Sequence, residues 1–391
     1  MIASDKHSDF KYVAIQEWIR ENIENNVFKY GAKLPSENFL CKKFSVSRQT
    51  VRNALGGLEK DGVVARKHGS GTYVSIMLNE ARNKTIGVLT SFLNEYIFPN
   101  ILMGIEEVCS NENYGINFGV TYNRIEAEHR FLERMLESNV SGLLIEGTKT
   151  ALPNPNINLY REFIRREVPI VFIHNYYQEL VDVCPSVLLD DIGGTRRLTQ
   201  YLIERGHSEI AGMFKFDDLQ GHRRYAGYTV ALTEAGIPVN EDIIGWFSDY
   251  TEDTIFDENS FPVLNAIRNC SAIVCYNDQV ASMLYHYFHK QGIRVPEDMS
   301  MVGFDDSFSS PLSMLELATV KHPQKDLGAR AAGMLIDMVK NGKDAVAPRI
   351  HLMDSAVLLR KSVKDLSKSG NKTREKAVSP PNLREIQQTG G

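Results

Sequence analysis

Residues 35–74, PSENFLCKKFSVSRQTVRNALGGLEKDGVVARKHGSGTYV, decide how the N-terminal part of the chain folds. Ser36 and Ser47 each precede apolar residues at helical spacing, and serine is a favoured helix N-cap. We therefore predict two short helices joined by a turn at residues 45–47, followed by a hairpin at residues 63–74. The positions predicted to be buried in the two helices are Phe39, Leu40, Phe44, Val51, Ala54, Leu55 and Leu58.

The helix that begins near Arg48 carries the side chains that point to nucleic acid. Arg48, Gln49 and Arg52 fall on the side away from its apolar stripe. Arginine pairs two donors with guanine and glutamine pairs with adenine, so such a helix suits the major groove of duplex DNA. A solvated helix face is the alternative. The basic, glycine-containing hairpin that follows favours a DNA-binding winged helix-turn-helix, because small residues let the backbone approach phosphates closely.

The charge of the chain is unevenly distributed. Between Lys29 and Tyr73, nine Lys and Arg residues face three Asp and Glu residues, a net charge of +6, which leaves −11 for the rest of a chain whose net charge is −5. A basic segment in an otherwise acidic chain indicates that only the N-terminal part binds a polyanionic partner. The N-terminus lacks a secretion signal and no apolar run is long enough to span a membrane, so we expect a cytoplasmic protein without membrane contact.

Metal and cofactor sites are not indicated. The five cysteines are scattered and never spaced C-x-x-C, which argues against a disulfide framework, a zinc site or a redox pair. The glycine-rich loops that hold nucleotide phosphates are missing as well. We therefore expect no metal and no cofactor.

The N-terminal motifs resemble those of the GntR-type transcriptional regulators. The matching features are the P-S-E start, the S-R-Q-T-V-R helix and the G-S-G-T-Y-V hairpin. The resemblance implies that Arg48, Gln49, Thr50 and Arg52 face operator DNA. It also implies that Lys33 and Ser36 lie near phosphates and that Lys67, His68 and Gly69 form the tip of the wing.

After a polar stretch, strands alternate with helices through most of the remaining chain. Alternation on this scale predicts an α/β protein with parallel sheets covered by helices, and the length predicts two sheets. We expect a DNA-binding domain at residues 1–75, a linker at 76–84, a two-lobed domain at 85–361 and a disordered tail at 362–391.

Polar and aromatic residues recur just past the predicted strands. Ligands bind at the carboxyl ends of parallel strands, where these residues would meet. Amide and charged groups with nearby aromatic rings suit a neutral, hydroxyl-rich ligand. The candidates on this argument include Tyr96, Phe98, Glu146, His174, Lys215, Asn277, Asp278 and Asp305.

This second part resembles the effector domain of LacI/GalR-type regulators, which is similar to periplasmic sugar-binding proteins. The segments HRRYAGY, VCYNDQVA and DMSMVGFDDS carry the likeness. It implies that Arg224, Asn277 and Asp305 hold ligand hydroxyls and that an aromatic ring near Trp246 or Phe247 stacks on a sugar. His174 occupies a position where relatives often carry Asp, so the sugar is not decided by this family alone.

The combination of both parts resembles the L-arabinose-responsive repressors, through SFLNEYIFPNILMGIE, MFKFDDLQG and TVKHP among other segments. This implies a homodimeric repressor that leaves double-stranded operator DNA when L-arabinose binds. Another pentose, a hexose or a nucleoside as effector, and activation instead of repression, remain open. An enzyme that modifies sugars is disfavoured because this sequence contains no nucleophile motif and no cluster of metal-ligand residues. A transport binding protein is disfavoured by the DNA-binding part and by the missing signal peptide.

Overall fold

A computed structural model describes residues 6–24, 27–29, 31–67, 70–75, 83–93, 97–249, 262–307, 316–342 and 349–367. The chain divides into two compact units, Met1–Thr85 and Ile86–Gly391, which we call the head and the body.

The head is a winged helix-turn-helix, as predicted. Ser36 and Ser47 cap their helices by accepting hydrogen bonds from the backbone N–H groups of Phe39 and Thr50. The hairpin strands pair antiparallel. The elements of the head are α1 (Lys6–Glu24), α2 (Glu37–Phe44), α3 (Arg48–Lys60), β1 (Val64–Lys67) and β2 (Gly71–Val74).

The buried side of the head matches most of the predicted pattern, although Phe44 is only half-buried. The four predicted positions of α3 and Leu40 of α2 are buried, and they pack against Ile15 and Ile19 of α1. Phe39, predicted to be buried, is 50% exposed. A helix of two turns has room for few inward positions, and Leu40 and Phe44 occupy those that face α1.

The body contains two main sheets. The strands of the body are β3 (Asn83–Thr90), β4 (Gly115–Val120), β5 (Val140–Ile145), β6 (Ile170–Ile173), β7 (Ser186–Leu189), β8 (Ile210–Lys215), β9 (Ile244–Phe247), β10 (Ala272–Cys275), β11 (Ser300–Val302), β12 (Thr319–Val320), β13 (Ile350–Met353) and β14 (Val357–Leu358). The first sheet has six strands in the order β13-β7-β6-β5-β3-β4, and the second has four in the order β11-β10-β8-β9. The pairings of β5–β6, β6–β7 and β7–β13, and those within the second sheet, are parallel. A small antiparallel pair joins β12 to β14.

Helices cover both sheets and define two lobes. The first lobe combines the six-stranded sheet with α4 (Phe98–Asn111), α5 (Ile125–Glu137), α6 (Ile157–Arg165) and α11 (Gln324–Asn341). The second lobe combines the four-stranded sheet with α7 (Asp191–Glu204), α8 (Leu219–Glu234), α9 (Val263–Ile267) and α10 (Asp278–Lys290). Within the described residues the chain crosses between the lobes at residue 190, at residues 321–323 and at residues 354–356. Three such crossings are the geometry of a hinge.

Glycines set the closest helix contact in the first lobe. A Cβ on Gly104 of α4 would lie 2.0 Å from the carbonyl oxygen of Lys325 in α11. A Cβ on Gly328 of α11 would lie 2.1 Å from the carbonyl oxygen of Ile101. The backbones of α4 and α11, the first and last helices of this lobe, are therefore in close contact. This contact holds the chain against the first lobe after it has crossed back from the second.

Ordered structure crosses the predicted boundaries of the two-lobed domain at both ends. Strand β3 begins at Asn83, inside the segment assigned to the linker, whose residues 76–82 lie outside the described part of the chain. At the other end, Ser362 donates to the carbonyl of Met301 (2.6 Å) and Leu366 N–H donates to the carbonyl of Arg205 (2.8 Å). Residues 362–367 are therefore packed, which corrects the start of the tail; residues 368–391 lie outside the described part. Among the described residues, no helix combines the length and apolarity needed to cross a membrane.

Candidate functional site

Helix α3 presents the predicted DNA-facing side chains. Arg48, Gln49 and Arg52 are exposed, and Thr50 is half-buried with its hydroxyl 2.8 Å from that of Ser47. Gln49 donates to Asn53, which is also exposed on this helix, at 3.0 Å. The exposed face of α3 therefore offers guanidinium and amide groups side by side.

The hairpin is fastened to α3 by polar contacts. Arg66 of β1 donates from its side chain to the carbonyl of Arg52 (3.1 Å) and from its backbone to Glu59 (3.2 Å). Arg52 itself pairs with Glu37 of α2, with 3.1 Å between Nε and Oε2. These contacts tie the recognition helix, the helix before it and the wing into one unit.

Lys33 and Lys67 both lie beside Tyr73 at the base of the wing. Lys33 forms an isolated bridge with Tyr73, and its Cε would lie 2.7 Å from a Cβ on Gly71, whose φ of +124° disfavours a side chain. Lys67 is exposed, with its ammonium 5.0 Å from the centre of the Tyr73 ring. Lys33 and Ser36 are exposed too. His68 and Gly69, predicted at the wing tip, lie outside the described residues.

The predicted base contacts and the predicted phosphate contacts can be distinguished by mutation. We expect Arg52→Ala to lower operator affinity by about 1–3 kcal/mol and to relax base preference. We expect Lys33→Ala to weaken binding to all sequences and to reduce the slope of log K against log salt by about one. Fluorescence anisotropy with operator and scrambled duplexes at several salt concentrations measures both effects. If the two variants lost specificity and salt dependence in equal proportion, this assignment would be wrong.

The body contains a cavity of about 180 Å³ bordered by strand ends of both sheets. The first lobe contributes Ser91 after β3, Glu146 after β5 and His174 after β6. The second lobe contributes Lys215 of β8, Phe247 of β9 and Asn277 after β10. Seven predicted ligand residues line this cavity: Phe98, Glu146, His174, Lys215, Phe247, Asn277 and Asp305.

Three predicted ligand residues do not line the cavity, and a fourth is not described. Trp246 is not among the lining residues; its ring packs on Phe214 and Tyr225, because neighbouring residues of a strand point to opposite faces. Arg224 and Asp278 are buried and do not line the cavity. Tyr96 lies outside the described residues.

Glu146 organises the first-lobe wall of the cavity. Its Oε2 accepts a hydrogen bond from the backbone N–H of Ser91 at 2.7 Å, and its Oε1 lies 2.9 Å from Nδ1 of His174. The Nε2 of His174 lies 3.1 Å from Nε2 of His322. A buried carboxylate is thus held in a fixed orientation, with its remaining lone pairs available to a ligand.

Lys215 organises the second-lobe wall. Its ammonium lies 2.7 Å from Asp249 and 3.6 Å from Asp218, which also accepts from the Tyr276 hydroxyl at 2.7 Å. Burial lowers the pKa of Lys215, but the neighbouring carboxylates outweigh it and raise the pKa above the usual lysine value. The lysine therefore stays charged at neutral pH and donates hydrogen bonds.

Arg224 supports the cavity from behind. Its guanidinium donates to Asp191 (2.9 Å), to Asp305 (3.2 Å) and to the carbonyl of Tyr276 (2.7 Å). Its Cζ lies 3.8 Å from the centre of the Phe304 ring. Burial raises the pKa of Asp191 to about 6, against the opposite effect of Arg224. Arg224 thus fixes Asp305, whose carboxylate borders the cavity.

Two lining residues have backbone conformations that side chains rarely adopt. His174 has φ +64° and Asp305 has φ +95°. Such strain persists where surrounding contacts determine the conformation, and it occurs often at ligand sites. Both residues belong to the hydrogen-bonded networks just described.

Contacts between the lobes involve residues missing from the predicted set. Asn123, after β4, donates to Asp217 at 3.3 Å and also to Asp249. Lys149 of the first lobe lies 3.7 Å from Asp217 of the second. Asn123, Asp218, Asp249 and Tyr276 line the cavity but were not predicted to do so. Asn123 and Asp249 follow strands β4 and β9, so the strand-end argument could have found them.

Asp278 is a buried carboxyl that acts through its neighbours. It accepts hydrogen bonds from the Thr319 hydroxyl and the Ser307 backbone, both at 2.8 Å. Burial raises its pKa to about 8. The group therefore carries a proton at neutral pH and positions the segment that follows Asp305.

This raised pKa predicts how stability depends on pH. In the unfolded chain Asp278 loses its proton near pH 4, whereas the folded state keeps it up to about pH 8. The contribution of Asp278 to stability therefore falls by about 1.4 kcal/mol per pH unit between these values. We expect the free energy of unfolding of Asp278→Asn, relative to that of the unmodified chain, to increase with this slope between pH 5.5 and 7.5. Urea unfolding measures it. Asp326→Asn, at an exposed position, should show no such slope, and equal slopes would contradict the assignment.

The comparisons with known proteins agree with both halves of this architecture. Residues 11–74 match the family model of bacterial regulatory proteins of the gntR family. Residues 199–363 match that of the periplasmic binding protein-like domain. The transcription regulator CcpA of Lactococcus lactis has a similar fold, with a TM-score of 0.62 at 24% identity over 72% of this chain and 100% of that one.

Two curated relatives match along most of their length. The arabinose metabolism transcriptional repressor of Halalkalibacterium halodurans is 37% identical over 338 residues, which cover 84% of this chain and 89% of that protein. The arabinose metabolism transcriptional repressor of Geobacillus stearothermophilus is 36% identical over 361 residues, which cover 91% and 98%. With a gntR-type head and a periplasmic-binding-protein-like body, the chain belongs to the family of arabinose metabolism transcriptional repressors.

Proposed function

We propose that this protein represses genes of sugar utilisation by binding operator DNA as a homodimer, and that L-arabinose in the body cavity releases it. The head supplies the DNA contacts through α3 and the wing. Two heads are needed because helix-turn-helix proteins of this kind read two half-sites related by two-fold symmetry. The effector is proposed from the relatives' names together with the chemistry of the cavity.

The observation that supports a sugar effector most strongly is the combination of groups in the cavity. Glu146, Lys215 and Asp305 are charged groups held by internal hydrogen bonds, and Phe98 and Phe247 add apolar ring surface from opposite lobes. A polyol has hydroxyls that need such donors and acceptors and an apolar face that needs a ring. The set comes from both lobes, so one ligand would contact both.

Contact with both lobes provides a route from binding to DNA release. A ligand shifts a conformational equilibrium only by its difference in affinity for the two states. A 100-fold loss of operator affinity corresponds to about 2.7 kcal/mol. Two or three hydrogen bonds made only when the lobes are close supply this amount.

Isothermal calorimetry of the full chain with a panel of sugars tests the effector. We expect saturable binding of L-arabinose, with weaker binding of D-xylose, D-glucose and adenosine. Tighter binding of another member would replace L-arabinose as the proposed effector. Conversion of the sugar during titration, detected by chromatography, would instead favour an enzyme.

A further inference from the structure

His322 occupies an unusual place for a buried histidine. It lies at residues 321–323, where the chain crosses from β12 in the second lobe to α11 in the first. Its side chain is buried, and its Nδ1 has no hydrogen-bond partner among the described residues. Its Nε2 faces His174, which lines the cavity. A polar side chain on the hinge therefore contacts the ligand site directly.

The distances restrict where the protons can be. Between the two Nε2 atoms, 3.1 Å apart, there is room for one hydrogen, carried by one of the rings. If His322 carries it, His174 accepts at Nε2 and donates its Nδ1–H to Glu146 at 2.9 Å. Both rings are then neutral, and the unpartnered Nδ1 of His322 is an acceptor.

The reverse arrangement is less favourable. If His174 carried the shared hydrogen, neutral His322 would place its other hydrogen on Nδ1, a buried donor without an acceptor, which costs about 1–3 kcal/mol. His174 would also become a cation or lose its hydrogen bond to Glu146. The first arrangement leaves neither a buried unpaired N–H nor an additional charge.

We infer that His322 is a positioning residue for the effector site, because it holds His174 in the tautomer that donates to Glu146 and so keeps Glu146 an acceptor for a ligand hydroxyl. This rests on the proposed function and specifies its chemistry. With Oε2 bonded to Ser91 N–H and Oε1 to His174, both oxygens of Glu146 only accept. The ligand atom that meets Glu146 must therefore be a donor, which selects a hydroxyl over a carbonyl or carboxylate.

The surroundings of the pair also keep His322 uncharged. Burial lowers the pKa of His322 well below the usual histidine value, and the neighbouring His174 and Arg224 act in the same direction. The charged and titratable groups around the pair are Glu146 at the end of β5, Arg224 on α8 and Asp305, which is bonded to Arg224. Protonation of His322 at Nδ1 would add a buried positive charge near Arg224, so the neutral ring that donates from Nε2 is the form that fits this site.

Two variants of His322 separate a hydrogen-bonding role from a space-filling role. Glutamine places an amide donor near the position of Nε2, whereas methionine fills the space without a donor. In calorimetry of the full chain at pH 7.5, we expect His322→Met to raise the Kd for L-arabinose at least 10-fold and His322→Gln to stay within about threefold of the unmodified chain. Equal Kd values for all three proteins, or an equal loss in both variants, would overturn the inference.

The tautomer can be measured without any sugar. Long-range ¹H–¹⁵N spectra of histidine-labelled, ligand-free protein should show His174 protonated at Nδ1 and bare at Nε2. The opposite tautomer would overturn the inference whatever the sugar data show. If the predicted tautomer is found and L-arabinose does not bind, the positioning role stands and the proposed effector fails.

Discussion

Arg224→Met is expected to destabilise the body by about 3–5 kcal/mol, the largest stability effect among the substitutions considered. Methionine fills similar space but leaves the buried carboxylates of Asp191 and Asp305 without the guanidinium that pairs with both. The shift of the body transition in urea unfolding measures the loss. It should be smaller at pH 5 than at pH 8. Burial already raises the pKa of Asp191 to about 6, and without the cation it rises further above its unfolded value, so stability falls as pH rises through this range.

Arg196→Met is the matched control for this substitution. Arg196 lies on α7, and its Nε is 2.8 Å from Glu234 in a pair whose side chains are 43% and 45% exposed. Exposed pairs of this kind contribute about 0–1 kcal/mol. If Arg196→Met and Arg224→Met shifted the transition equally, the buried network would not have the role assigned to it.

Glu146→Gln is expected to weaken effector binding by about 2–3 kcal/mol, or roughly 30–150-fold. The amide has one acceptor oxygen, while Ser91 N–H and His174 Nδ1–H both require an acceptor. The NH₂ group would therefore face a donor, and the charge that strengthens a hydrogen bond from a sugar hydroxyl would be lost. Calorimetric titration with L-arabinose measures the change in Kd.

Glu137→Gln removes the same charge at an exposed position on α5 and should leave the Kd unchanged. Operator affinity without sugar should be unchanged in both glutamine variants, since the substitutions are in the body. An unaltered Kd in Glu146→Gln would exclude this carboxylate from the site.

The local pattern of the sequence predicted most of the elements, for physical reasons. Serine caps and apolar periodicity are short-range signals, and they located the start of α3 at Arg48 and its buried face. Phe39 shows the limit of this reasoning. Hydrophobic character predicts burial, but a two-turn helix has one face for the core, and Phe39 is not on it.

The candidate site was predictable to the extent that it follows strand ends. Glu146, His174 and Lys215 are at the carboxyl ends of parallel strands and were predicted by that rule. The choice between Trp246 and Phe247 depends on which face of β9 each residue occupies, and a short apolar strand does not reveal this.

Long-range polar contacts could not be predicted. Asn123 donates to Asp249, which is 126 positions away in the sequence. Arg224, Asp191 and Asp305 contact one another although they belong to three separate segments of the chain. No local pattern encodes such pairs, because they arise only when distant segments of the chain fold against each other. The role of Arg224 as a support behind the cavity, and of His322 as a support for His174, came from the structure.

The central claim is that a sugar held between the lobes releases the head from DNA, and an operator-release titration tests it most directly. A labelled duplex, selected from random sequences by the full chain, is bound to saturation and L-arabinose is then added while anisotropy is recorded. The account predicts release of the unmodified chain, with roughly a 100-fold fall in operator affinity at saturating sugar, and a 30–150-fold higher sugar requirement for Glu146→Gln. Retention of the unmodified chain on the duplex at sugar concentrations that saturate the body in calorimetry would contradict it.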